Sequence, residues 1–191
     1  MKVYKLEENA NKFSVPFDWD EEDISIQYVR KIVESYFDTN RRVGKNWQPT
    51  FFGIVEKKMK LADIGTLSGS EMVILGQKAV DALLPLINGS VELLPYPTEV
   101  GTYYLVNALD EGDYLDRKRT DCDEILPNGH CFGINEYVFK ESALQGKHIF
   151  RIPDDAVTRY VSGEFIDTCK QHKLQGIYLT DSVKVWDSET A

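Results

Sequence analysis

The chain has 191 residues, 42% hydrophobic and 28% charged, a balance that suits one domain (or two small ones sharing a core) and excludes a disordered chain. Its 31 acidic against 22 basic residues give a net charge of −9, which disfavours direct contact with nucleic-acid phosphates and favours a basic partner. No run approaches the roughly 20 apolar residues of a membrane helix. The start, Met1 to Glu8, lacks the apolar centre of a signal peptide, and Cys122, Cys131 and Cys169 are too few and too scattered for a secreted disulfide framework, so a cytoplasmic protein with reduced thiols and no membrane contact is expected.

In chain order, Val3 to Leu6 alternates and predicts a short strand. Asn9 to Glu22 reads as an exposed loop. From Asp23 to Phe37, Ile26, Val29, Ile32, Val33 and Tyr36 recur at helical spacing. Arg41 to Asn46 is a polar turn, and Trp47 to Phe52 an aromatic extended segment. A strand is expected at Glu71 to Leu75, then a helix at Gln77 to Ile87 with Ala79, Val80, Leu83, Leu84 and Ile87 on its apolar face, ended by Asn88-Gly89. Ser90 to Leu94 reads as a strand closed by Pro95-Tyr96-Pro97, and Gly101 to Leu109 as another. An acidic, turn-rich stretch follows to Gly133, with Asn128-Gly129 as a hairpin turn. Strands are expected at Cys131 to Phe139, His148 to Ile152 and Arg159 to Val161. Ser162 is an N-cap candidate for a helix through Leu174; Gly176 ends it, and Ile177 to Leu179 is a last strand. A shift of 86 positions pairs Leu75 with Val161, Val80 with Ile166, Asp81 with Asp167, Val91 with Ile177 and Leu93 with Leu179. The fold class expected is therefore α+β, a mixed sheet with a few packed helices and two related strand–helix–strand units.

Catalytic motifs are scarce. Gly65 to Ser70 lacks the Gly-Lys-Ser/Thr ending of a phosphate loop and the three-glycine dinucleotide pattern, and reads as a plain loop. Cys122, His130, Cys131, Cys169 and His172 are the zinc-ligand candidates, and no Cys-x-x-Cys pair joins them; no metal and no cofactor is expected. His130 adjoins Cys131, but neighbouring strand side chains point to opposite faces, which disfavours a cysteine nucleophile. A Gly-x-Ser-x-Gly elbow is absent. Two acidic groups, Asp110, Glu111, Asp113, Asp116 and then Asp121, Asp123, Glu124, flank Arg117-Lys118-Arg119 and suit local ion pairs or partner contact. In Phe17 to Asp23, five of seven residues are acidic and two aromatic, a pattern that suits either a binding loop or aromatics tucked into the core ahead of a capped helix.

The order of segments says more than any one motif. Met1 to Leu6, Leu61 to Ile64, Met72 to Leu75 with Gln77 to Leu83, Val91 to Pro95, Tyr103 to Asn107, Ile149 to Ile152, Val161 to Phe165 and above all Leu174-Gln175-Gly176-Ile177 resemble bacterial polymorphic-toxin immunity protein family eleven. The resemblance implies a single domain over residues 1–191, with a variable part at 1–46 and a family-like core at 47–186. Residues 7 to 46 match least, and Gly76 stands where the family typically has Ser. It further implies a non-enzymatic protein that binds a cognate toxin, a nuclease-type effector above all, and blocks it. The acidic surface suits such a basic partner. The contact residues expected are Asp18, Trp19, Asp20, Glu21, Glu22 and Asp23, then Asp110, Glu111, Asp113 and Asp116. An enzyme of unrecognised type and a general adaptor are the alternatives. The oligomeric state is not legible.

Overall fold

The computed structural model describes residues 1–17, 41–49, 53, 55–67, 72–178 and 183–186. The expected helix at 23–37, the acidic loop Asp18 to Asp23, the end of the aromatic segment after Pro49 and the residue Leu179 lie outside the described residues. In chain order, β1 is Val3–Lys5, β2 Phe13–Ser14, β3 Lys60–Leu61, β4 Ile64–Leu67 and β5 Met72–Gly76. Helix α1 covers Gln77–Ile87 and is followed by β6, Val91–Thr98, and β7, Gly101–Ala108. Then come β8, Asp121–Ile125; β9, Cys131–Glu136; β10, Val138–Lys140; β11, Ile149–Ile152; β12, Asp155–Ser162; α2, Gly163–Gln171; and β13, Lys184–Trp186. Antiparallel ladders dominate, while β2–β3 and β10–β13 pair in parallel, so the fold is α+β with mixed pairing. No helix among the described residues is long and apolar enough to cross a membrane.

Two similar sheets organise the chain. The first has the order β4-β5-β7-β6 and is antiparallel throughout. The second has β11-β12-β1, and bridges from Val3 to Val183 and from Glu8 to Ile177 continue the far side of β1, again antiparallel. At the 86-residue offset, β4 and β5 with α1 stand against β11 and β12 with α2. The central partner differs in origin: β7 follows its unit, whereas β1 comes from the N-terminus. Both helices leave their strand without a loop, and the capping residues Gly76 (φ −78°, ψ 165°) and Ser162 (φ −75°, ψ 164°) have the same backbone conformation.

Alternation along each strand divides the core into layers. Val73 and Leu75 of β5, with Ile149 and Val161 of the second sheet, pack against Ala79, Val80, Leu83, Ile87 of α1 and Phe165, Ile166, Cys169 of α2. This shared layer holds both units together. Met72 and Ile74 point the other way and meet Leu94, Tyr96, Tyr103 and Leu105. Phe150, Ile152 and Tyr160 form the matching far face of the second sheet with Leu115, Phe139 and Leu144. Because β5 is buried on both faces, its sequence Met-Val-Ile-Leu-Gly is continuously apolar instead of alternating.

Several boundaries differ from the sequence reading. β6 does not close at Pro95 but runs through Pro95 and Pro97 to Thr98. It is an edge strand: among the named strands it pairs with β7, and on its outer side a bridge from Gly53 reaches Thr98 among the described residues. The carbonyls of Pro95 and Pro97 face outward, accepting from Trp47 Nε1 at 2.7 Å and Gly53 N at 2.9 Å, so the missing N–H groups lie on the side away from β7. Gly65 to Leu67 belongs to a strand, not to a loop. Asp121–Ile125 is a strand that its charge concealed; the hairpin turn after it is real, with Gly129 at φ +82°. Helix α2 stops at Gln171, before Leu174.

The Gln175-Gly176-Ile177 stretch stitches the units. Asp63 N and Ile64 N both donate to Gln175 O, at 2.8 and 3.0 Å, and Asn9 N donates to Gly176 O at 2.8 Å. Gly176 has φ +119°, and a Cβ there would sit 1.9 Å from Ile64 O. Only glycine permits this approach.

Candidate functional site

The four carboxylates Asp110, Glu111, Asp113 and Asp116 sit on the segment between β7 and β8, and each holds a cation of the chain itself. Asp110 pairs with Lys147 at 2.7 Å and accepts from the Tyr114 hydroxyl. Glu111 meets the buried Arg151 at 3.0 Å. Asp113 pairs with Arg117 and, at 3.0 Å, with Lys140. Asp116 pairs with Arg119 at 2.7 Å and accepts from Lys118 N at 3.2 Å. The structure brings these residues onto one segment, yet their side chains differ in access: that of Asp113 is 62% exposed, those of Asp110 and Asp116 only 11%. The other six expected contact residues, Asp18 to Asp23, lie outside the described residues.

A second polar centre was not singled out from the sequence. The Asp154 carboxylate is fully buried and grips Arg117 with both oxygens, Nε at 2.7 Å and Nη2 at 2.5 Å, and also accepts Cys131 N at 2.7 Å. His130 Nδ1 lies 3.0 Å from Arg117 Nη2. Burial alone raises a carboxyl, but here the guanidinium and the backbone N–H outweigh it and hold Asp154 below its ordinary range. This knot ties the β8–β9 hairpin to the turn between β11 and β12. In sequence, Asp154 is only a turn acid after Pro153; the pairing partners lie 23 and 37 residues away. A similar hub forms at Asp155, which accepts from the hydroxyls of Tyr137 and Tyr160, each at 2.9 Å.

Nucleophilic chemistry finds little support in these groups. Burial, with Cys122 beside it, raises the Cys131 thiol, and burial pushes Cys169 up to about 12, so both stay protonated at neutral pH. Among the described residues no three His, Cys, Asp or Glu side chains group as metal ligands. One cleft of about 500 Å³ opens at the start of α2, lined in part by Lys2, His148, Ser162, Glu164 and Asp167. His148 Nδ1 lies 3.0 Å from Ser162 Oγ and 3.4 Å from Glu164 Oε2. A catalytic relay needs the serine and the acid on opposite ring nitrogens; here both approach the same one. Ser162 Oγ also accepts Phe165 N at 3.1 Å, the N-cap bond expected from the sequence. The arrangement fastens the start of a helix.

No curated protein matches the chain. From Tyr96 inside β6 to Lys184, the first residue of β13, the match covers β7, the acidic segment, the hairpin, the second sheet and α2. The resemblance read from the sequence is thus borne out over residues 96–184, which match the model of the Immunity protein family (Imm11).

Proposed function

We propose that this chain is a toxin-neutralising immunity protein: in the cytoplasm it binds a cognate bacterial toxin one to one and blocks its activity, the toxin being a nuclease-type effector. The observation that carries this reading is the Immunity protein family (Imm11) match over residues 96–184. The net charge of −9 supports it, because a nuclease must present a basic face to its substrate, and an acidic binder competes there with phosphate. The described site supports binding in preference to catalysis: its carboxylates and histidines are fastened in ion pairs and caps. Asp18, Trp19, Asp20, Glu21, Glu22 and Asp23, with Asp110, Glu111, Asp113 and Asp116, remain the proposed contacts. Asp113, the most exposed of the second group, is the one best able to meet a partner directly. Asp110, Glu111 and Asp116 shape the segment that carries it.

The test is protection in cells. The toxin encoded beside this chain's gene is induced in a sensitive host, with and without the chain. Survival restored by the chain, and not by an unrelated acidic protein, supports immunity. Killing unchanged at matched expression contradicts it.

A further inference from the structure

The described residues leave seven large hydrophobic side chains exposed, and the two most exposed lie on one hairpin: Phe132 at 61% and Ile125 at 53%. Both belong to the β8–β9 pair, where Phe132 stands opposite Glu124 and Ile125 opposite Cys131. Among the described residues this two-stranded sheet pairs with no other strand. A two-stranded ribbon is marginal alone and must be held from outside. Here Cys131 is buried, Cys122 and Ile134 pack on the cluster around Phe139, and the Asp154–Arg117 knot fixes the backbone at Cys131. Gly133, at φ +63°, breaks the regular pleat beside Phe132; a Cβ there would lie 2.3 Å from Asp123 Oδ2. The exposed ring is therefore presented on a fastened element, not on a loose loop. Such preorganisation lowers the ordering cost of binding.

Charge identifies what covers it. Residues 121–136 contain Asp121, Asp123, Glu124 and Glu136 and no lysine or arginine. Asp121, Asp123 and Glu124 are exposed, and among the described residues neither Asp121 nor Glu124 has an ion-pair partner. A second copy of this chain would set carboxylate against carboxylate. Phosphates of nucleic acid or anionic lipid would be repelled in the same way. A protein face with an apolar recess rimmed by lysine and arginine satisfies both the ring and the acids. This is the layout of a binding hot spot, an aromatic anchor inside a polar rim.

We propose that the β8–β9 hairpin docks onto such a basic face of the toxin, with Phe132 as the anchor and Asp121 and Glu124 as the steering charges. The proposal rests on the immunity reading and assigns to it a surface distinct from the acidic segment Asp110 to Asp116.

The experiment uses the full chain and the purified toxin domain encoded beside its gene, inactivated at its own active site, with binding followed in real time at several salt concentrations. Phe132→Ala is expected to raise Kd by at least about 30-fold, mainly through faster dissociation. Glu124→Lys is expected to slow association several-fold and flatten its salt dependence. Val100→Ala, an exposed residue away from the hairpin, is expected to bind like the wild type. Melting temperatures check the fold; if Phe132→Ala melts early, Glu124→Lys decides alone, since its side chain is exposed. Wild-type affinity in both hairpin variants, while the unaltered chain binds, overturns the docking surface and leaves immunity standing. No binding by the unaltered chain overturns both. A dimer of this chain that Phe132→Ala dissociates also overturns the proposal, because the occupant is then a second copy.

Discussion

The two strand–helix–strand units share one plan and differ in what covers their far faces. On the first, Val15, Phe17, Val43 and Trp47 of the N-terminal part lie over Met72, Ile74, Tyr96 and Tyr103. Glu92 clamps that covering by accepting Val43 N at 2.7 Å and Gly44 N at 2.9 Å, and the buried Asn107 donates to Arg41 O at 2.8 Å. On the second, the long segment between β7 and β11 covers Phe150, Ile152 and Tyr160 with Leu115, Phe139 and Leu144. Its clamps are ion pairs: Asp110 to Lys147, Asp113 to Lys140 and Arg117 to Asp154. The shared helical layer secures the fold, and among the described residues it is the second covering that carries exposed carboxylates and the exposed Phe132 ring. A scaffold of this kind can keep its core while the contacts with a partner vary.

The comparison can be broken at the point where the units join. Gly176→Ala forces Cβ against Ile64 O in a left-handed backbone and should cost at least about 3 kcal/mol in urea unfolding. A loss below about 1 kcal/mol would show that the junction yields without strain. Next in size, Asp154→Ala leaves Arg117 without its buried carboxylate and should cost about 2–3 kcal/mol. Hydrogen exchange should locate that loss in the hairpin amides of 121–136 and spare α1. Uniform loss across both units would mean that the coverings are not separable from the core.

Acid should act on the second covering first. Asp154 and Asp155 are both held below the ordinary carboxyl range, burial opposing and hydrogen bonds prevailing. A depressed folded-state value gives stability that is full above the unfolded value of about 3.9 and is lost as pH falls through the folded one. Urea midpoints should therefore fall below about pH 4, and Asp155→Asn should flatten that fall. The smallest effects belong to the helix starts. Ser162→Ala should cost about 1 kcal/mol. Gly76→Ser should change stability by less than about 0.5 kcal/mol, because the cap it gains is offset by crowding against the Tyr103 ring, 3.1 Å from the new Cβ. A gain above about 1 kcal/mol would show that Tyr103 gives way freely.

The sequence showed most where local signals decide. The apolar repeat and Asn88-Gly89 located α1, although Leu84, expected on its apolar face, is exposed, and Ser162 was legible as a cap. The Asp113–Arg117 and Asp116–Arg119 pairs follow from spacings of four and three residues. Partners such as Lys140 for Asp113, or Lys147 for Asp110, are 27 and 37 residues away and depend on the fold. β6 was cut short because proline signals an end unless the strand is known to lie at an edge. β8 was missed because Asp-Cys-Asp-Glu-Ile buries almost nothing and so shows no apolar period. Phe132 looked like any strand aromatic, since exposure is not written in a residue's identity.

The most direct test of the central claim is a titration of the active toxin proposed as this chain's partner. Purified chain is added stepwise and residual toxin activity is measured at each ratio. A linear fall that reaches zero at one chain per toxin is the predicted result. Activity that persists at a large excess of chain would contradict the account.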